Sequence, residues 1–189
     1  ESAKICINLS TKHPLYAKLA SRILISNLHK KTSDNFVEKQ NFIQRITKEH
    51  SDENIGLLNE EYLEWINKNK EEINKMVDYK RDFKFDFFGF KTLERAYLIK
   101  NHRTKEIYER PQDMFMRVAS FINMGDLERI KLTYDLMSQG YYTHASPTLF
   151  NGGTRRSQLS SCFLLGTCDS MDGITDTWKA VAAISKWGG

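Results

Sequence analysis

The sequence predicts a mainly α-helical chain that turns, from Tyr141 onward, to a loop, a short strand and a final helix, the first half of a βαβ unit. Three observations predict it. Apolar residues recur at helical spacing over most of the length. Prolines number only three, and two of them, Pro14 and Pro111, fall where helices begin. After Tyr141 small residues and glycines replace the charged ones, and an apolar run follows at Cys162-Phe163-Leu164-Leu165. With 189 residues, roughly 70% of the unfolded surface can be buried. A composition of 40% hydrophobic and 28% charged residues excludes a disordered chain. No apolar run approaches the roughly 18 residues of a membrane span, so no membrane contact is expected. The net charge of +4 suits phosphate-bearing ligands but falls short of a nucleic-acid footprint. Three cysteines, Cys6, Cys162 and Cys168, fit a reducing compartment, here the cytoplasm, better than a disulfide scaffold.

Taken in order, Thr11-Lys12-His13-Pro14 opens a helix whose Leu15, Leu19, Ile23, Leu24 and Leu28 keep helical spacing to about His29. A second helix starts at Ser33-Asp34 with Phe36, Ile43 and Ile46 on one face, and Ser51-Asp52-Glu53-Asn54 breaks it. A third starts near Asn59 and carries Leu63, Ile66, Ile73 and Met76. From Asp82 to Phe87 polar and aromatic residues alternate, the signature of a strand or extended arm, ended by Phe88-Gly89-Phe90. A short helix from Leu93 to Ile99 and a hairpin with its tip at Asn101-His102-Arg103-Thr104 follow. Pro111 starts a helix with Met114, Phe115, Val118 and Ile122. Gly125 closes it, and Asp126 caps the next one, which ends at Gly140. His144 to Thr154 reads as loop, Ser160 to Leu165 as a short buried strand, and the last helix places Ile174, Trp178, Val181 and Ile184 inward.

Few residues carry chemistry on their own. Cys162 follows two serines whose hydroxyls could serve a ligand beside a reactive thiol; a buried structural cysteine fits the same pattern. Cys168 and Cys6 lack neighbours to complete a metal site, and no metal is expected. Gly152-Gly153-Thr154-Arg155-Arg156 has the small residues and arginines of an anion loop without the Walker or dinucleotide pattern. Asp169-Ser170 fits a helix N-cap, and Lys186 fits a cation at a helix C-terminus. His144 fits a hydrogen-bonded loop histidine, and the phenylalanines from Phe83 to Phe90 fit a packing arm.

Several runs together resemble the large catalytic subunit of class I ribonucleotide reductases. They are Tyr142 to Thr154 (with Thr-His-Ala-Ser-Pro-Thr-Leu-Phe-Asn), Gln158 to Leu165, Tyr16 to Lys30, Phe87 to Arg95 and Glu109-Arg110-Pro111-Gln112. Asp176-Thr177 and Ile184-Ser185-Lys186 continue the likeness, which runs from about residue 11 to the end and is weakest from about Lys31 to Lys75. The resemblance implies residues 1–31 as the last helices of an ATP-cone, 32–140 as a helical domain, and 141–189 as the start of a ten-stranded α/β barrel. It implies the reduction of ribonucleoside diphosphates to deoxyribonucleotides by thiyl-radical chemistry, with Cys162 as one of two reducing thiols. Ser146 and Ser161 match substrate contacts. Asp169, Ser170, Met171 and Lys186 match contacts of a deoxynucleoside triphosphate or ATP effector, although the segment before Asp169 is one residue shorter than usual. The final helix resembles one that pairs two large subunits into a homodimer.

The implied partners are a di-iron small subunit that supplies the radical, and thioredoxin or glutaredoxin as reductant. Glu1 in place of Met and the closing Gly188-Gly189 suggest a piece of a longer or split protein, expected to be inactive alone and without overall-activity regulation. The competing reading from another class is a non-catalytic helical module for protein or nucleic-acid interaction, supported by charge alone. The cobalamin-dependent reductases share the cysteine strand, but Phe87 to Arg95 speaks against them.

Overall fold

The structure, a computed structural model, describes residues 1–101 and 103–186. The expected hairpin-tip residue His102 and the Gly188-Gly189 turn lie outside the described residues. Helices follow one another as α1 (Ser2–Asn8), α2 (Leu15–Lys31), α3 (Phe36–Glu49), α4 (Glu60–Lys68) and α5 (Lys70–Met76). After a 3-10 turn at Tyr79–Lys84 come α6 (Phe87–Thr92), a π-turn at Leu93–Tyr97, α7 (Pro111–Ile122), α8 (Leu127–Gln139), α9 (Ser146–Asn151) and α10 (Met171–Lys186). Among the described residues β-pairing is confined to two isolated antiparallel bridges, Leu58 with Thr154 and Lys100 with Ile107.

The starts are set by short polar side chains that take the first free amides. Asn35 accepts from the Glu38 amide, Asn59 from Tyr62, Asp86 from Gly89 and Asp126 from Arg129. Gly140 ends α8 at φ +85°, and the Gly140 and Tyr141 amides return to the Met137 and Leu136 carbonyls.

Helix α7 is the axis of the molecule. Met114, Phe115, Met116, Val118 and Ala119 are all buried, against Ile25 and Leu28 of α2, Phe36 of α3, Tyr62 and Ile66 of α4, Phe90 of α6, Ile130 and Tyr134 of α8 and Leu149 of α9. A helix apolar on all sides belongs in a core. Its polar residues must then find partners inside, because an unpaired buried polar group is costly. They do so in four sets. Asp113 accepts from the Arg110 amide (2.6 Å) and the Tyr79 hydroxyl (2.7 Å), with the Lys39 ammonium at 2.6 Å. Gln112 accepts from Tyr134 (2.8 Å), and Ser120 bonds the Tyr62 hydroxyl (3.0 Å). Arg117 pairs with Glu109.

Several expectations are corrected. The alternating segment from Asp82 is a 3-10 turn followed by α6, because Asp82 points inward: its carboxylate takes the Gln112 amide at the start of α7 (3.1 Å) and the His29 ring (2.7 Å). Burial pushes the Asp82 carboxyl up, and the His29 hydrogen bond pulls against that. The third helix is two helices broken at Asn69. Residues 93–97 make a π-turn in place of the expected helix to Ile99. The stretch read as loop from His144 holds the helix α9.

Ser160 to Leu165 is neither a ladder strand nor buried, with Leu164 101% and Phe163 43% exposed. An apolar run becomes a strand only when neighbouring strands take its backbone groups, and no described segment does so. The apolar face of α10 is likewise not inward: Trp178 is 73% exposed, and no residue of the helix is buried. Leu15 and Leu19, at the start of the α2 stripe, are exposed as well. No helix among the described residues is long and apolar enough to cross a membrane.

Candidate functional site

The buried ion pair at the centre of α7 builds the site outward. The Arg117 guanidinium donates twice to Glu109, Nε to Oε2 at 3.0 Å and NH2 to Oε1 at 2.8 Å, with both side chains fully buried. Its remaining donors reach the Leu149 carbonyl (3.1 Å) and the Gly152 carbonyl at the end of α9. A planar guanidinium suits such a fork because its donors are fixed in one plane. Burial lowers the Arg117 pKa, but Glu109 more than offsets this and holds the guanidinium protonated. Glu109 also accepts from the Ile99 amide (3.0 Å), so one carboxylate ties the segment after the π-turn to α7 and α9.

Gly153 fits beneath this pair at φ +81°; a Cβ there would lie 3.0 Å from Arg117 Cγ and 3.2 Å from Tyr62. The Asn59 amide donates to the Gly153 carbonyl (3.0 Å) and the Arg155 amide to the Leu57 carbonyl (2.9 Å). The amides of Gly152 and Thr154 are bonded to the Thr148 and Asn151 carbonyls. With these donors engaged in the fold, the Gly152, Thr154 and Arg155 amides are not free to cradle an anion. The glycine loop is a close-packed corner that fixes the direction of the chain toward Ser160.

Helix α9 then carries the candidate residues on two sides. Ser146, half-buried in its first turn, lies with Oγ 3.0 Å from the Tyr97 hydroxyl. The Tyr97 ring is stacked on Phe150 at 4.8 Å between centroids. On the other side Thr148 Oγ1 donates to the Leu159 carbonyl (3.1 Å), and Asn151 Nδ2 to the Gln158 carbonyl (2.8 Å). These bonds hold the segment that leads to Ser161 and Cys162. Ser161 Oγ lies 3.8 Å from Cys162 Sγ, to which it donates. Cys162 is a free, exposed thiol. Burial lowers the pKa of His144, two residues before Ser146, which favours its neutral form.

Ser146, Ser161 and Cys162 thus belong to one framework. The other four residues do not converge. Ser170 Oγ accepts from the Gly173 amide (3.0 Å) at the start of α10, beside Asp169 and the 78% exposed Met171. Lys186 closes the same helix, roughly 22 Å away at the helical rise. Cys168 is free and exposed, and among the described residues no cluster could hold a metal ion.

The family model described as "Ribonucleotide reductase, all-alpha domain" matches residues 83–157. Over its whole length the chain is 45% identical to the ribonucleoside-diphosphate reductase large subunit of Trypanosoma brucei brucei, 47% to that of Caenorhabditis elegans and 45% to that of monkeypox virus. The chain is thus similar over its whole length to ribonucleotide reductase large subunits, and residues 83–157 to their all-alpha domain. It spans about a quarter of the length of these curated relatives, 23% of the first and 24% of the other two. The reductase all-alpha match takes in Tyr97, Glu109, Arg117 and Ser146 and stops before Ser161 and Cys162, which only the whole-chain likeness to the reductase subunits covers.

Sequence reasoning missed Tyr97, Arg117, Thr148 and Asn151 as parts of the site. Tyr97 and Arg117 reach it across 49 and 32 positions of the chain, whereas Thr148 and Asn151 act through contacts 11 and 7 positions away. The one available signal was an arginine inside an apolar helical run, which must be paired if that run is buried.

Proposed function

We propose that this chain is the N-terminal region of the catalytic large subunit of a ribonucleoside-diphosphate reductase, with Cys162 as one of the two thiols that reduce the ribose. The observation that carries the reading is a free, exposed Cys162 on a segment fixed by α9, beside Ser161 and tied to the helix of Ser146. Whole-chain identity of 45–47% to large subunits bearing that name supports it. The overall reaction balances as one 2′-hydroxyl and two thiols giving one 2′-hydrogen, one water and one disulfide. Abstraction of the 3′-hydrogen by a thiyl radical would make the 2′-carbon–oxygen bond labile. In this reading the thiyl and the partner thiol come from parts of the large subunit outside the quarter that this chain spans. The radical comes from a small subunit, expected to be of the di-iron type, and thioredoxin or glutaredoxin regenerates the dithiol.

Ser146 and Ser161 would hold the substrate nucleotide by their hydroxyls. Asp169, Ser170 and Met171 would take a deoxynucleoside triphosphate or ATP effector at the start of α10. Lys186, at the far end of the same helix, fits the same effector if two copies of α10 pair antiparallel in a homodimer. Residues 1–31, 32–140 and 141–189 would correspond to an ATP-cone remnant, a helical domain and the beginning of the barrel.

The test is Cys162→Ser in the complete large subunit with its small subunit and a dithiol reductant. Deoxynucleotide formation is expected to fall to background, with ribonucleoside-diphosphate binding unchanged within about threefold. Retained turnover would remove Cys162 from the reaction.

A further inference from the structure

Beyond the residues already placed in the site stands a tyrosine that no contact with a nucleotide was expected to involve. We infer that Tyr97 is a positioning residue for the substrate, acting through the hydroxyl of Ser146. The inference rests on the reading of Ser146 as a substrate contact and deepens it.

A serine hydroxyl turns freely about its Cβ–Oγ bond, and near a helix start it readily bonds local backbone groups instead of a ligand. Here it faces the Tyr97 hydroxyl at 3.0 Å, where either oxygen can donate. If Tyr97 donates, the Ser146 proton is left to point at a ligand oxygen. If Ser146 donates, its lone pairs are left to accept a ribose hydroxyl. Both arrangements restrict the rotor before a ligand arrives, and prior ordering of a binding group removes part of the cost of binding.

Tyr97 is itself held in place on three counts. Its ring is stacked on Phe150, one helical turn beyond Ser146 on α9, with 25° between the planes. It ends the π-turn, whose closing bond runs from the Leu98 amide to the Leu93 carbonyl (3.0 Å). The widened turn brings Tyr97 onto α9 while Leu98, next in the chain, is buried in the core. Such turns inside helical segments are rare and often accompany functional sites. The Ile99 amide then bonds Glu109, and through Arg117 the same buried pair holds the α9 carbonyls. Tyrosine and serine are therefore referred to one rigid point from opposite sides.

Tyr97→Phe keeps the ring, its stacking and the fold, and removes only the hydroxyl. In the complete reductase, with the small subunit present, Tyr97→Phe is expected to raise KM for the ribonucleoside diphosphate about fivefold, the value of one neutral hydrogen bond. Turnover at saturation is expected to stay within twofold. In a Ser146→Ala background, the same change is expected to add nothing, because the two residues act as one unit. An unchanged KM in Tyr97→Phe, where Ser146→Ala alone raises it, would overturn the inference and leave the substrate reading standing. A full effect of Tyr97→Phe on top of Ser146→Ala would overturn it too, since the tyrosine would then act by another route. If Ser146→Ala leaves KM untouched, the substrate reading of Ser146 fails and the inference falls with it. Should Tyr97→Phe fold poorly, Tyr97→Trp, which keeps a stacking ring and places no hydroxyl at Ser146, is expected to raise KM likewise, and an unchanged KM in it would count against the inference.

Discussion

At the scale of single residues, the Arg117–Glu109 pair governs the geometry on which the site depends. A buried pair is not by itself a large source of stability, since both charges lose their water. Losing one partner is another matter, because the other charge is left alone in the core. Arg117→Ala is expected to cost about 3–5 kcal/mol in a denaturant titration. Gly153→Ala sets a residue at φ +81° and drives a methyl against Arg117 and Tyr62. Its cost is expected to exceed about 1 kcal/mol by the same measurement. Ser146, Ser161 and Cys162 stand out in the sequence through the runs that resemble the reductase family, and the structure sets them on one framework around α9. Tyr97 and Arg117 do not stand out, because each earns its role from a partner distant in the chain. Asp82 shows the same blindness from the other side: its alternation with aromatic residues reads as a strand or extended arm, whereas it caps α7 from within the core.

At the scale of elements, the helices declared themselves through their ends. Asn59, Asp126, Pro111 and Gly140 each sit where backbone chemistry requires such a residue, and the structure places the boundaries within a residue or two. Strand and burial assignments failed where pairing decides. The apolar run after Cys162 contains no information about which segment will lie beside it. Contacts between elements also give a pH dependence. Asp135 on α8 accepts from Arg81 in the 3-10 turn (2.6 Å) and from Lys131 one turn back (2.7 Å). Burial pushes its carboxyl up, but these two hydrogen bonds outweigh it and hold the pKa below the usual carboxylate value. A depressed folded pKa stabilises the fold above the unfolded value of about 3.9, and that contribution is lost as pH falls through the folded value. Asp135→Asn is therefore expected to lower stability at pH 7 by about 1 kcal/mol or less. The gap between variant and parent should close as pH falls through the folded pKa of Asp135. A gap that stays constant with pH would show that the charge of Asp135 contributes nothing.

At the scale of the whole molecule, the two halves differ in kind. Around α7 the buried polar side chains discussed above are partnered, Gln112 through its Oε1 alone, and the apolar residues are covered, whereas α10 shows Met171, Ile174, Trp178 and Val181 to solvent along one face. Those four recur at helical spacing, so they form a continuous strip. A strip of that kind is stable in water at a cost, and in the proposed homodimer the matching strip of a second large subunit covers it. Antiparallel pairing has a second consequence, because it brings Lys186 of one copy toward Asp169 and Ser170 of the other and closes the roughly 22 Å that separates them on a single helix. Dimerisation and effector binding should then fail together. Trp178→Glu, at the middle of the strip, removes the largest apolar side chain and places a charge on the two-fold seam, while touching nothing in the core. In the complete large subunit it is expected to shift the mass measured by light scattering from dimer toward monomer. The proposed binding of a deoxynucleoside triphosphate or ATP effector should weaken with it, and the thermal midpoint of the helical core should stay unchanged. A dimer that persists with its effector binding intact would place the partner of α10 elsewhere. Loss of effector binding in a dimer that persists would leave Lys186 and Asp169 meeting by some other route than the pairing of these two helices.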